Sequence, residues 1–529
     1  MNTEETQWDA IVVGSGIGGM AVASILSRLQ KKRVLVLERH WVPGGQTHEF
    51  TRKGKYSWDV GLHYVGGMEV GSPSRGIMDY VTGGGVDWNP LPDAFEHLSF
   101  PGAEFQMPKT EEAMIRALGA RFPGEAKGIR AFFKDMKRAT DWMTLDFSRQ
   151  LMPPPIAAIT GLLAARHRAM ATAPTARALG KRVKDPLLKA ILTGTWGDYG
   201  LPPGRSAFAL HSLVVRSYLE GAWFPEGGAS TLASSISRVV ENAGGRIVVS
   251  AEVLEILVDR GAAKGVRVRL GKGAGAREAT FEAPLIFSAA GAGVTYGKLL
   301  RPHVPAAWVE ALEKFPAGMS AVTLFLGLKD DPSSLGFRGE NRWIYGSTDH
   351  DALAANGASL LDGRPGSCFL SFPSLKQKNP KYHTAEIISH AVASDFSKWA
   401  GSTWMKRGED YLAAKERIAD GLLDFVEARH PGFKALVDYR ELSTPLSYES
   451  FLGWRRGEFY GLAGVGGRYA LPWLRVRTPV RGCYLAGCDV MSLGIMGALM
   501  GGVAAAAISM GPAGWPKVMK AMRTARPAK

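Results

Sequence analysis

Cysteine is nearly absent from this sequence. Three in 529 residues, Cys368, Cys483 and Cys488, build no disulfide framework and suit a reducing compartment. No leader is expected either. The opening MNTEETQWDA is acidic and polar, so no signal peptide is expected. There is no internal repeat, and no metal site is expected. Acidic residues are in deficit, 49 against 64 basic ones, leaving a net charge of +15. Charge vanishes altogether between Asp489 and Lys517, the one long stretch that could be read as a membrane span. At 57.0 kDa the chain exceeds one ordinary domain, and its 46% hydrophobic content is ample for a core.

What is present begins at Asp9. DAIVV (Asp9 to Val13) reads as a short apolar strand, followed by the turn GSGIGG, a helix to about Gln30, and a second strand, VLVLE (Val34 to Glu38). Gly14, Gly16 and Gly19 stand in G-x-G-x-x-G spacing, with Gly18 inside the same turn. Gly14 permits the tight turn, Gly16 lets backbone approach a pyrophosphate, and Gly19 lets helix and strand pack closely. The helix N-terminus then offers unpaired N–H groups to the phosphates. Glu38 follows at the distance expected of an acid that accepts ribose hydroxyls. NAD and FAD share this fingerprint. No second copy follows a strand: GLAGVGG (Gly461 to Gly467) lacks the apolar strand before it, so no separate NAD domain is expected.

After Glu38 comes RHWVPGGQT, then YSWDVGLHYVGG (Tyr56 to Gly67). This resembles the amine-oxidase and phytoene-desaturase superfamily of flavoproteins. There the paired glycines, here Gly44 and Gly45, carry the chain along the pyrophosphate and ribityl arm. Bare backbone at these positions can approach an anionic linker. The resemblance implies FAD, bound non-covalently, and adds Arg39, Gln46, Thr47 and Gly61 to its contacts.

Two distant segments complete the resemblance. GCYLAGCDVMSLGIMGALMGGVAAAA (Gly482 to Ala507) resembles the closing flavin motif of the superfamily. By that likeness Gly487 and Asp489 meet the ribityl or phosphate, and the helix from Gly494, with Ile495 and Met496, points at the isoalloxazine. A helix N-terminus there would stabilise the anion of reduced flavin. Its Gly and Ala content favours a helix buried under a cofactor over a membrane span. FPEGGASTLASSISRVVENAGGRIVVSAEVLEI (Phe224 to Ile256) reads as turn, helix, strand, strand. LIFSAAG (Leu285 to Gly291) ends a further strand. The likeness puts Val253 beside the adenine, and Ala290 and Gly291 at the cofactor. Cys483 and Cys488 precede the glycine-led turn and read as small buried residues, so no covalent flavin is expected.

The implied fold is α/β: a discontinuous Rossmann-type FAD-binding domain (1–70, 225–300, 478–512) with an inserted α+β substrate domain (71–224, 301–477) and a basic tail (513–529). Residues 71–224 read as mostly helical after about Glu111, with a Pro-rich break at Pro153 to Pro155. FPEGGASTLA and STPLSYESFLGWRRGEFYGL (Ser443 to Leu462) resemble the branch of phytoene desaturases, carotenoid isomerases and retinol saturases. This implies an FAD-dependent oxidoreductase that saturates or desaturates carbon–carbon bonds of an apolar isoprenoid or polyene. Its electron partner would be external: a quinone, oxygen or a reduced nicotinamide. A redox-neutral polyene isomerase, a flavin amine oxidase and a non-catalytic flavin- or lipid-binding protein are the alternatives. His63 would lie near the flavin, as proton donor, as hydrogen-bond partner of the cofactor or as wall. Glu449 and Tyr460 are the other acid–base candidates.

Two basic regions, Arg166 to Lys184 and Trp515 to Lys529, each mix cations with apolar residues. They suit either an anionic membrane surface or a solvated face. Neither carries a nucleic-acid-binding motif, so no nucleic acid is expected. The resulting expectation is a cytoplasmic protein, at most peripheral on the inner face of the membrane.

Overall fold

The computed structural model describes residues 5–453 and 457–524. Its first elements follow from the apolar pattern. Ala10–Val13 and Val34–Leu37 are strands buried along their whole length, and Ile17–Gln30 is the helix between them. Apolar runs without alternation suit a parallel sheet covered on both faces. Five strands form that sheet, in the order Arg246–Val248, Val34–Leu37, Ala10–Val13, Ile286–Ser288 and Cys483–Leu485, every pair parallel. Helices Ser230–Glu241 and Gly494–Ser509 pack against Ile17–Gln30. An antiparallel meander, Ala251–Asp259, Ala262–Leu270 and Arg277–Glu282, follows the strand at Arg246.

A seven-stranded sheet forms the second layer system. Its order is Val437–Ser443, Ser320–Leu328, His383–Ala391, Ser367–Ser371, Asn341–Tyr345, Glu96–Phe100, Ala103–Met107. Register matters here. Glu96 pairs with Asn341, Ser371 with Glu386, and Glu386 with Phe325. Residues directly opposite across strands share a face, so this register sets Glu96, Asn341, Ser371 and Glu386 in one row. Helix Glu409–Glu427 covers the sheet's apolar side through Ile418, Leu422 and Val426.

Residues 111–217 supply the helices Glu111–Arg121, Ala126–Ser148, Pro154–Ala171, Thr175–Gly180, Pro186–Leu192 and Phe208–Ser217. The Pro-rich break separates two of them, with Pro154 at the first helical position, where its missing N–H costs nothing. Gly494–Ser509 has 16 residues, fewer than a bilayer requires, and most of its second half is buried in protein. Among the described residues no helix is long and apolar enough to cross a membrane. The expected basic tail starts as a helix, Gly514–Thr524, docked through Val518 and Met522; residues 525–529 lie outside the described residues, as do 1–4.

Candidate active site

The glycine turns meet one another. A Cβ on Gly18 would lie 2.7 Å from the Cα of Gly487, and a Cβ on Gly45 would lie 2.8 Å from the Cα of Gly16. Backbone therefore packs on backbone where three remote segments converge. Between them opens a cavity of about 390 Å³, within the usual range for small-molecule sites. Gly14, Gly16, Gly18, Glu38, Arg39, Gly44, Gly45, Gln46, Thr47, Gly61, His63, Val253, Ala290, Gly291, Gly487, Asp489, Gly494 and Ile495 line it. Two expected contacts stand off the wall. Gly19 is turned to Gly14, Val12 and Ala289, so it serves helix–strand packing alone. Met496 does not line the cavity, whereas Gly494, Ile495 and Ala498 of the same helix do.

The cavity suits a long dianionic ligand. Helices Ile17–Gln30 and Gly494–Ser509 both begin at its wall, without a side-chain cap and without an acid in the first turn. Their leading N–H groups and positive dipole ends are thus left to a ligand. A Cβ on Gly16, Gly487 or Gly494 would meet nothing within 4 Å among the described residues beyond its own chain neighbourhood, so these glycines leave their room to the cavity. The Glu38 carboxylate is held firmly in place. Its Oε2 accepts from the Ser15 N–H (2.8 Å) and hydroxyl (2.7 Å), and its Oε1 from the His40 N–H (2.7 Å). Asp489 ties three segments together, accepting from the Ala292 N–H at 2.7 Å and the Leu462 N–H at 3.0 Å. Cys488 also lines the cavity, and burial pushes its thiol up to about 12, so thiolate is scarce there.

A narrower inner chamber of about 80 Å³ shares Gln46, Gly61, His63, Asp198, Phe459 and Tyr460 with the first cavity. Trp196, Trp343, Tyr345, Phe369, Ile388 and Tyr448 give it an aromatic, apolar wall. Tyr460 lines both spaces, whereas Glu449 lines neither. The motif that suggested both includes residues 454–456, which lie outside the described residues.

Ionisable groups gather behind this junction. Both Asp198 oxygens accept from the Tyr64 hydroxyl, at 2.8 and 2.7 Å, and burial raises Asp198 to about 7. Burial, then Asp198, raises Glu96 to about 8; Glu96 accepts from the Trp343 indole at 2.6 Å. Lys376, 5% exposed, donates to Ser371 Oγ (2.7 Å), Asn341 Oδ1 (2.8 Å) and the His63 carbonyl (2.8 Å). Burial lowers Lys376 to about 8. Burial, then Lys376, lowers His63 to about 3, so its imidazole is neutral at neutral pH. Asp198, Glu96, Lys376 and Glu386 escaped sequence reasoning. They sit in unrelated stretches: sheet register places Glu96 and Glu386, the turn at Pro373–Lys376 places Lys376, and the short helix Trp196–Tyr199 places Asp198.

Taken with its relatives, the chain is a flavin-dependent oxidoreductase. Residues 12–81 match the family model of the NAD(P)-binding Rossmann-like domain. The all-trans-retinol 13,14-reductase of Danio rerio is 32% identical over 524 residues, covering 93% of this chain and 84% of that protein. The chain belongs to the all-trans-retinol 13,14-reductase family, in the phytoene-desaturase-like branch of the FAD-dependent amine-oxidase superfamily. A chloroplastic prolycopene isomerase of Arabidopsis thaliana is 26% identical over 473 residues, covering 86% of this chain and 74% of that protein. Among solved structures, wild-type putrescine oxidase bound to putrescine has a TM-score of 0.59 at 17% identity, covering 95% of this chain and 99% of that one. That likeness shows the fold.

Proposed function

We propose that this protein saturates a carbon–carbon double bond of a retinoid- or carotenoid-like polyene, using non-covalently bound, reduced FAD. The supporting observation is the aromatic inner chamber opening onto the cradle of uncapped helix ends, with proton-bearing side chains at the junction. The relatives named as a retinol reductase and a prolycopene isomerase support the substrate class. When bound, FAD supplies hydride chemistry at N5. The chain's own residues do the rest. Gly16, Gly45, Gly487 and the two helix N-termini hold the pyrophosphate and ribityl arm. Glu38 takes ribose hydroxyls, and Val253 flanks the adenine. Trp196, Trp343, Tyr345 and Phe369 orient the polyene and exclude water. A hydride delivered to one carbon must be matched by a proton at its neighbour, and His63, in the wall of both spaces, holds that proton. Residues 1–70, 225–300 and 478–512 serve as cofactor domain and 71–224 with 301–477 as substrate domain.

The substrate dissolves in lipid, so its route starts at a membrane. Helix Pro154–Ala171 exposes Ile156, Ile159, Leu162 and Leu163, and the exposed Arg166, Arg168, Lys181 and Lys184 follow. Apolar residues beside cations suit an anionic bilayer. Electrons come from an external donor such as a reduced nicotinamide. The test is product analysis with reductant, FAD and a panel of polyenes. Gain of two hydrogens supports saturation. Rearrangement at constant mass would make the protein an isomerase, and peroxide formation with amines an amine oxidase.

A further inference from the structure

Glu386 lies in the middle of strand His383–Ala391, 0% exposed, between two apolar neighbours, Ala385 and Ile387. Neither of its carboxyl oxygens has a hydrogen-bond partner among the described residues, and neither does His63 Nδ1. The two unsatisfied groups face each other, with His63 Nδ1 3.3 Å from Glu386 Oε2. An unpaired buried carboxyl is costly, and two such groups in contact are relieved together by one shared proton.

We propose that Glu386 is a positioning residue that holds a proton behind His63 and passes it to Nδ1 as the Nε2 proton leaves for the substrate. This rests on the saturation reading, which requires a proton at the chamber wall. A neutral imidazole is a poor acid on its own, because losing its N–H leaves an imidazolate. Gaining a proton at Nδ1 in the same event removes that obstacle. Burial, then Asp59, holds Glu386 well above the usual carboxyl range despite Lys376, so the proton resides on Glu386 and the imidazole is neutral. A small side-chain turn that closes the 3.3 Å contact into a hydrogen bond from the Glu386 O–H to Nδ1 then fixes the Nε2–H tautomer. The step balances. The Glu386 O–H bond breaks as Nδ1–H forms, and the Nε2–H bond breaks as a C–H bond forms on the substrate. The accompanying hydride comes from reduced flavin, replenished by a two-electron donor of the reduced-nicotinamide class. The carboxylate left behind is compensated by Lys376, which the row of Ser371 and Asn341 holds in place. Tyr448, Asp59 and Lys376 are the titratable groups packed around the pair.

The test uses the FAD-loaded protein and Glu386→Gln, which keeps shape but carries no transferable acid proton, with Glu386→Asp beside it. Infrared difference spectra at neutral pH read the carboxyl directly. A protonated-carboxyl band present in the wild type and missing from Glu386→Gln supports the assignment. Its absence from the wild type overturns it. In anaerobic single turnovers, Glu386→Gln should take up FAD and be reduced normally. Its reoxidation by polyene should slow on the order of 10²–10⁴-fold, with part of the rate restored in Glu386→Asp. If Glu386→Gln reoxidises at the wild-type rate while Asp198→Asn does not, the proton comes from Asp198 and the proposal fails. A wild type inert to every polyene would end the saturation reading, and the infrared band would still decide where the proton resides.

Discussion

At Gly45 a side chain has nowhere to go. The residue sits at φ +56°, and its Cβ would press on the Gly16 backbone, not on a flexible side chain. Gly45→Ala should cost about 1–3 kcal/mol by overpacking and lower flavin occupancy, read by chemical unfolding and by the flavin absorbance of the purified protein. Asp198 supplies a second prediction. Its pKa is raised from 3.8 to about 7, so the folded state holds the proton more tightly than the unfolded chain. The stability this provides is fully present below the unfolded pKa and is lost as pH rises through the folded one. The stability difference between wild type and Asp198→Asn should therefore fall from about pH 4 to about pH 7 and level off above. A flat difference across that window would count against a protonated Asp198. Sequence made Gly45 visible, because paired glycines after a strand-ending acid have a local cause. Nothing local marks Asp198 in WGDYG. Its raised pKa comes from burial under other elements, against the pull of the Tyr64 hydroxyl, which lies far off in sequence.

Helix Pro154–Ala171 is the element whose chemistry faces outward. Ile159, Leu162 and Leu163 are 62%, 78% and 66% exposed. Replacing all three with Glu should reduce binding to anionic-lipid vesicles at least tenfold. Stability should change little, since exposed substitutions away from caps and cores usually shift it by about 0.5 kcal/mol or less. Co-sedimentation with vesicles and thermal unfolding check the two halves, and unaltered vesicle binding would remove this helix from the docking surface. Elements were the most legible scale. The helix ending at Gln30 and the strand Ser320–Leu328 follow from apolar patterning alone. Helix Glu409–Glu427 starts on the acids Glu409 and Asp410, which favour a first turn. Docking of Gly514–Thr524 was hidden, because Val518 and Met522 need a partner surface that sequence does not display.

Across the whole molecule, the C-terminal ends of the parallel strands and one face of the seven-stranded sheet border one continuous space, cradle at one end and aromatic chamber at the other. The cradle was readable because its glycine turns have fixed spacing. The chamber was not: Trp343, Phe369 and Ile388 meet only through strand register. Saturation requires electrons to pass from flavin to a polyene inside that space. The most direct measurement is anaerobic spectroscopy of the FAD-loaded protein, reduced stoichiometrically and mixed with all-trans-retinol or a carotenoid. The expected result is return of the oxidised flavin spectrum, one equivalent of product per flavin, and two hydrogens gained. Flavin that stays reduced while every polyene is recovered unchanged would contradict saturation.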